Sequence, residues 1–351
     1  MTHTTCAIVV LAALGASLAG APTRGAAQTP GTRVQDVRAE LSALADDSMQ
    51  GRMTASPGGA RAARYIAQRM KEFGLRPAGD SGFFQRVPLA RSPHADDRSG
   101  LVLLHALQDL DSVPAEARAV AVNVVGVLPG SDAKLKDEAI LVDAHYDHLG
   151  VGEPVDGDSI YNGADDDASG TVAVLEIARA LAAGPRPKRT VVFLATTGEE
   201  VGLLGTRWYL AHPVVPLERT VANLEIEMIG RPDSLAGGRG KGWLTGYERS
   251  TMGSMFERAG IAIVPDPHPA QSFFTRSDNI AFARRGIPAH TLSSYNLHTD
   301  YHTPADEADR VDLDHMTGII RAGARAVRLL ANGPVPRWRP GGRPAAEPAR
   351  P

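Results

Sequence analysis

The strongest constraint on the fold is a set of short apolar runs, each followed by a stretch with helical spacing. Residues 120–127, 139–144, 190–195, 221–226 and 288–292 read as strands, and 139–144 and 190–195 are almost continuously apolar. Segments 34–44, 58–73, 169–182, 203–210, 280–285 and 312–330 read as helices. The helix over 58–73 ends at Gly74, as a C-terminal glycine should. A strand without polar alternation is covered on both faces, and strands separated by helices run parallel. The expected architecture is therefore α/β: a three-layer sandwich with a mostly parallel central sheet flanked by helices.

The chain has 351 residues, and nothing between 34 and 331 reads as a linker or a repeat, so one domain over 34–331 is the simplest account. Residues 1–27 carry an apolar stretch over 7–14, then small residues with A-x-A-like sites near 21 and 27. That pattern predicts a secretory signal peptide and a secreted or periplasmic protein. The apolar part is too short and glycine-broken to span a bilayer, so no stable membrane association is expected. The segment 333–351 is rich in Pro, Arg, Gly and Ala and is expected to be a disordered tail. A net charge of −3 gives no footprint for nucleic acid. The single cysteine, Cys6, precludes an internal disulfide and a thiolate cluster. A bound metal must then be held by imidazole and carboxylate, and 11 histidines are available. Oligomeric state is not legible here.

In parallel sheets, ligands gather beyond the carboxyl ends of the strands. After 139–144 comes His145-Tyr146-Asp147-His148. After 190–195 comes Thr196-Thr197-Gly198-Glu199-Glu200, and after 221–226 comes Glu227-Met228-Ile229-Gly230. Asp165-Asp166-Asp167 precede the helix at 169, and His298 to Asp306 form a late His/Asp-rich stretch. Each piece alone has a bland reading: a surface loop, a helix cap, a solvated acidic pair. Together they put carboxylates and imidazoles at one sheet edge, where a cation offsets their mutual repulsion. Zinc or another divalent first-row ion suits such a nitrogen and oxygen set.

The runs AHYDHLG (144–150), NGADDDASG (162–170), TTGEEVGLLG (196–205), EMIG (227–230) and YHTPAD (301–306) together resemble the zinc-dependent peptidase family M28. Gln50-Gly51-Arg52 with Gly58, and Ser277-Asp278 with Gly286-Ile287-Pro288, fit secreted bacterial members. The resemblance implies a zinc-peptidase-like fold and two Zn2+ per chain. His145 and Glu227 would hold one ion, Glu200 and His302 the other, with Asp166 between them. It implies Glu199 as general base, with Asp147 and Asp306 supporting the ligands. Glu227 stands where the family most often has Asp. Its extra methylene leaves single-zinc occupancy open.

The expected function is a secreted metallo-aminopeptidase that hydrolyses the N-terminal peptide bond of peptides with a two-zinc activated water. Phe273, Tyr295 and Tyr301 are candidate substrate contacts, the tyrosines also as oxyanion donors. Carboxypeptidase or dipeptidase action on the same site is an alternative, with Arg231, Arg276 and Arg284 as candidate carboxylate binders. A glutaminyl cyclase-like enzyme and a non-catalytic binding member are others. His148 and His298 read as loop-shaping residues, His148 by a hydrogen bond to a loop.

Overall fold

The computed structural model describes residues 1–2, 31–93 and 99–346. All but the first two residues of the expected signal peptide lie outside them, as does His94. Among the described residues no helix is long and apolar enough to cross a membrane.

In chain order the elements are α1 (Val34–Leu44), α2 (Pro57–Glu72), β1 (Arg76–Pro77), β2 (Phe84–Arg91), β3 (Leu101–Leu103), β4 (Arg118–Leu128) and β5 (Ala139–His145). A hairpin follows, β6 (Gly150–Val155) and β7 (Asp158–Tyr161), then α3 (Gly170–Ala182), β8 (Thr190–Thr196), α4 (Leu204–Ala211) and β9 (Thr220–Ile226). The last part holds β10 (Gly242–Leu244), α5 (Met252–Arg258), β11 (Ile263–Pro265), α6 (Asn279–Arg284), β12 (Ala289–Ser293) and α7 (Leu313–Asn332).

One large sheet runs β11-β10-β12-β9-β5-β8-β4-β2-β3, with β1 also on β4. Its centre, β12-β9-β5-β8, is parallel, while β4, β2 and β3 form an antiparallel flank. The strand period of two sorts the side chains. Ile140, Val142 and Ala144 of β5, with Val191, Phe193 and Ala195 of β8, face α1, α2, α3 and α7. Ala139 and Leu141, with Val192 and Leu194, face α4 and α6. Both faces of the central strands are therefore dry, which is why they read as continuous apolar runs.

Local signals set the helix ends. Ser56 Oγ accepts from Gly59 N at 3.1 Å with Pro57 in the first turn, and Asp312 Oδ1 accepts from His315 N at 3.1 Å.

The tail departs from expectation. Residues 333–346 have no regular structure, yet they lie against the body. Trp338 Nε1 donates to Gly286 O at 2.9 Å, and Trp338 bridges Ser250. Arg337 and Thr251 exchange main-chain and hydroxyl bonds at 2.9 Å. The Trp338 ring meets His290 at 5.6 Å and Phe274 at 6.3 Å. Proline removes ladder donors but not contacts, and the docked indole together with these main-chain bonds holds the irregular segment to the body.

His290, beneath that indole, is fully buried; it bonds Ser250 Oγ through Nε2 and Thr245 O through Nδ1, both at 2.7 Å. Burial holds it neutral and pulls its pKa down to about 4. The unfolded chain takes up that proton near pH 6.5, so this contribution is complete above about 6.5 and lost as pH falls toward 4. We expect His290 to account for about 3 kcal/mol of stability loss between pH 7 and 4. Urea unfolding of wild type and His290→Asn across that range should show a shallower pH slope for the variant.

Candidate metal centre

The carboxyl ends of β5, β8 and β9 deliver their chemistry to one place. His145 is the last residue of β5, Glu199 and Glu200 follow β8, and Glu227 follows β9. The turn before α3 brings Asp166, and the loop before α7 brings His302. His302 and Met228 both adopt left-handed backbone, at φ 58° and 50°. Such strain in side-chain-bearing residues clusters where the surroundings fix a functional group.

Three sets of donor atoms converge: His148, Asp166, Glu200 and His302; His145, Asp166 and Glu227; and His145, Glu199 and Glu200. Within each, the atoms lie within 4.8 Å of one another. Asp166 sits between the first two sets. Its Oδ1 is 3.4 Å from His145 Nε2, and its Oδ2 is 3.0 Å from His302 Nε2. Glu200 Oε2 lies 3.2 Å from His302 Nε2, and Glu200 Oε1 2.7 Å from His148 Nδ1.

The three successive aspartates divide the work. Asp165 Oδ1 accepts from Gly230 N at 2.6 Å, and its Oδ2 meets His298 Nε2 at 3.1 Å. Asp167 Oδ1 accepts from Gly170 N and Met228 N at 2.8 and 3.0 Å. Only Asp166 turns its carboxylate to the cluster. Asp306 accepts from Asp165 N and Asp166 N at 3.0–3.1 Å and so fixes that turn. Asp147 supports His145 differently from expectation: its main-chain oxygen, not its carboxylate, meets His145 Nδ1, at 3.1 Å. The carboxylate is 3.9 Å away because it accepts from Thr54 Oγ1 at 2.9 Å and Glu199 N at 3.3 Å.

These residues fit a cation. Among the described residues, His145 Nε2, His148 Nε2, Asp166 Oδ2 and His302 Nε2 are buried atoms that make no well-aligned hydrogen bond. Burial pushes the Glu199 carboxyl well above its ordinary range, and burial with Glu225 pushes Glu227 up to about 8. For His302, burial opposes protonation, but Asp166 and Glu200 outweigh it and raise the pKa to about 10. A divalent ion removes the need for such protons, and the donor set is of the nitrogen and oxygen type zinc accepts.

Comparison with known proteins agrees. The sequence model of peptidase family M28 matches residues 123–327, more than half of the chain. The chain belongs to peptidase family M28. It is 27% identical over 203 residues to aminopeptidase YwaD of Bacillus subtilis, covering 55% of this chain and 41% of that one. It is 27% identical over 194 residues to a vacuolar membrane protease of Sclerotinia sclerotiorum, covering 54% of this chain but 16% of the fungal one. The matched stretch is thus well under half of either curated relative. Among solved structures, the aminopeptidase of Aneurinibacillus sp. strain AM-1 superposes with a TM-score of 0.62 at 17% identity, over 87% of this chain and 95% of that one. BSAP, a zinc aminopeptidase of Bacillus subtilis, gives 0.61 at 15%, over 86% and 95%.

The pocket beside the M28 cluster has a cavity of about 240 Å3 lined by Glu199, Glu227, Trp243, Phe273, Tyr295 and Tyr301 among others. Phe273 stacks on Trp243 at 5.3 Å, whereas Phe274 faces the core under Trp338. Tyr301 stacks on His302 at 3.8 Å. Of the three expected arginines, Arg276 lines the pocket. Arg231 is tied to Asp300 at 2.7 Å, and Arg284 does not line the pocket.

Sequence reasoning gave no role to Arg52 and discounted His148. Arg52 is fully buried and donates to Tyr146 O at 2.7 Å, Leu44 O at 2.9 Å, Asn162 O at 2.5 Å and Gly163 O at 2.9 Å. The preceding Gly51 has φ 59°, and a Cβ there would lie 2.4 Å from Tyr161 O, so only glycine admits this approach. Nothing in the sequence flags this role of Arg52: it meets the turn of the three aspartates, more than 110 residues away, only in the fold. Arg52→Met strands four carbonyls and two neighbouring acids, Asp167 and Asp306. We expect a loss of about 3–5 kcal/mol and weaker zinc retention, read by urea unfolding and elemental analysis.

Proposed function

We propose that this M28 chain is a metallo-aminopeptidase that removes the N-terminal residue from peptides. His145, Asp166 and Glu227 would hold one zinc, and Asp166, Glu200 and His302 the other. The observation that carries this reading is the arrangement around Asp166: two donor sets share its carboxylate, with Glu199 alongside at the pocket wall. Bound zinc supplies the Lewis acidity that makes water nucleophilic near neutral pH and polarises the scissile carbonyl.

Glu199 takes the proton of the attacking water and passes it to the leaving amine. Its Oε2 lies 4.0 Å from His145 Nε2, and Asp147 fixes its main chain at 3.3 Å. Burial, which raises its pKa, suits a group that must both accept and return a proton. Tyr295 and Tyr301 keep their phenolic protons, since burial raises both pKa values, and can donate to a developing oxyanion. The Trp243–Phe273 stack offers an apolar wall to the side chain of the N-terminal residue. Four carboxylates line the pocket, which favours a substrate's free ammonium. Arg276 is the observation that keeps carboxypeptidase or dipeptidase action as the second reading. Export by a signal peptide within residues 1–27 is part of the proposal. N-terminal sequencing of protein from outside the cytoplasm should start near residue 22 or 28.

Glu199→Gln should retain zinc and lower kcat by about 10²–10⁴ on aminoacyl-anilides. Chelation should abolish hydrolysis, and zinc should restore it. Cleavage only of amine-blocked, free-carboxylate peptides would favour the second reading. No cleavage by zinc-loaded protein of any free-amine substrate sinks the first.

A further inference from the structure

His148 has no role in the ligand assignment above. We infer that it is a zinc ligand: its Nδ1 completes a four-residue donor set with Asp166, Glu200 and His302, leaving three donors, His145, Asp166 and Glu227, for the other ion. The inference rests on the di-zinc reading and divides its two sites by kind.

The residue is 1% exposed. Its Nδ1 lies 2.7 Å from Glu200 Oε1 and 3.8 Å from Asp166 Oδ2, and its ring meets His302 edge-on at 5.6 Å. Its Nδ1 faces two carboxylates of the cluster, and among the described residues no main-chain group hydrogen-bonds its ring, unlike His145, whose second nitrogen rests on a carbonyl. Gly163 packs against its ring: a Cβ there would come within 2.4 Å of His148 Cδ2, and the glycine's φ is 53°. The glycine backbone thus closes the side of the imidazole away from Glu200 without displacing it.

Two imidazoles and two carboxylates supply this cation with four donors, one of them, Asp166, shared with the other ion. Four protein donors are the pattern of a closed zinc site, and three leave a position free for water or substrate. The His148 set is therefore the tight, first-filled site. The His145 set is the weaker, exchangeable one.

The alternative role for His148 is a hydrogen bond that merely orients Glu200, and the test separates the two. The full chain, stripped with chelator, is titrated with Zn2+ and with Co2+ while the visible absorption of cobalt is followed. Wild type should bind two ions in resolved steps. His148→Gln keeps an amide donor for Glu200 but lacks the imidazole. It should weaken the first step by more than about 100-fold, beyond the 10–100-fold that loss of an outer partner costs, and alter the cobalt spectrum of the first equivalent. Glu227→Ala, with His148 intact, should retain the first step. X-ray absorption of its single zinc should count two imidazoles. One imidazole there, or wild-type affinity in His148→Gln, overturns the assignment while leaving the di-zinc reading in place. A wild-type chain that binds no zinc overturns both.

Discussion

One buried cation organises the sheet edge. Arg52 has no solvent contact, and its guanidinium is spent on main-chain carbonyls of residues 44, 146, 162 and 163. These are far apart in sequence: the end of the first helix, the turn after β5, and the turn that leads into Asp165. A planar five-donor fork can hold them in one geometry where a lysine cannot. Its charge is not paired by contact. It is felt by Asp167, Asp306, Asp166 and Asp147, which are buried close by. An isolated buried arginine is costly, and so is a cluster of buried carboxylates. Each makes the other tolerable, and the segment after β5 and the turn that carries Asp166 are positioned as a by-product.

The acids behind the site follow the same logic. Glu225 accepts from Ser277 Oγ, Asp278 N, Asn279 N and Thr291 Oγ1, which pins the start of α6 to β9 and β12. Burial, with Asp278 adding, still raises its pKa to about 7. Asp143 on β5 is likewise held by Asn223 on β9. Acidic groups are thus stacked two layers deep below the cluster, and burial favours their neutral forms.

The central strands were legible because both their faces are dry: continuous apolar runs such as 139–144 have no competing interpretation once helices separate them. The positions after those strands were legible for the same topological reason. Of the antiparallel flank only β4 was, read as 120–127. β2 carries Pro88 in mid-strand, which argues against a strand from sequence, and β3, β10 and β11 are three residues long, too short for any period. His148 was discounted on spacing, but residues 146–149 form an irregular turn, where a three-residue offset says nothing about which side a ring takes. The tail was misread because composition reports the absence of helix or strand, while the docking of Trp338 depends on a surface built from residues 250, 274, 286 and 290.

The order in which the chain supplies its donors has a consequence for biogenesis. Arg52 comes first, then His145, Asp166, Glu200 and Glu227, and His302 last, just before α7. No chain that stops short of residue 302 carries the complete His302 set, whatever else has folded. During synthesis that set is therefore incomplete until nearly all of the domain has emerged. The linear sequence acts as a timer, withholding the assembled centre until the polypeptide that carries it is nearly whole.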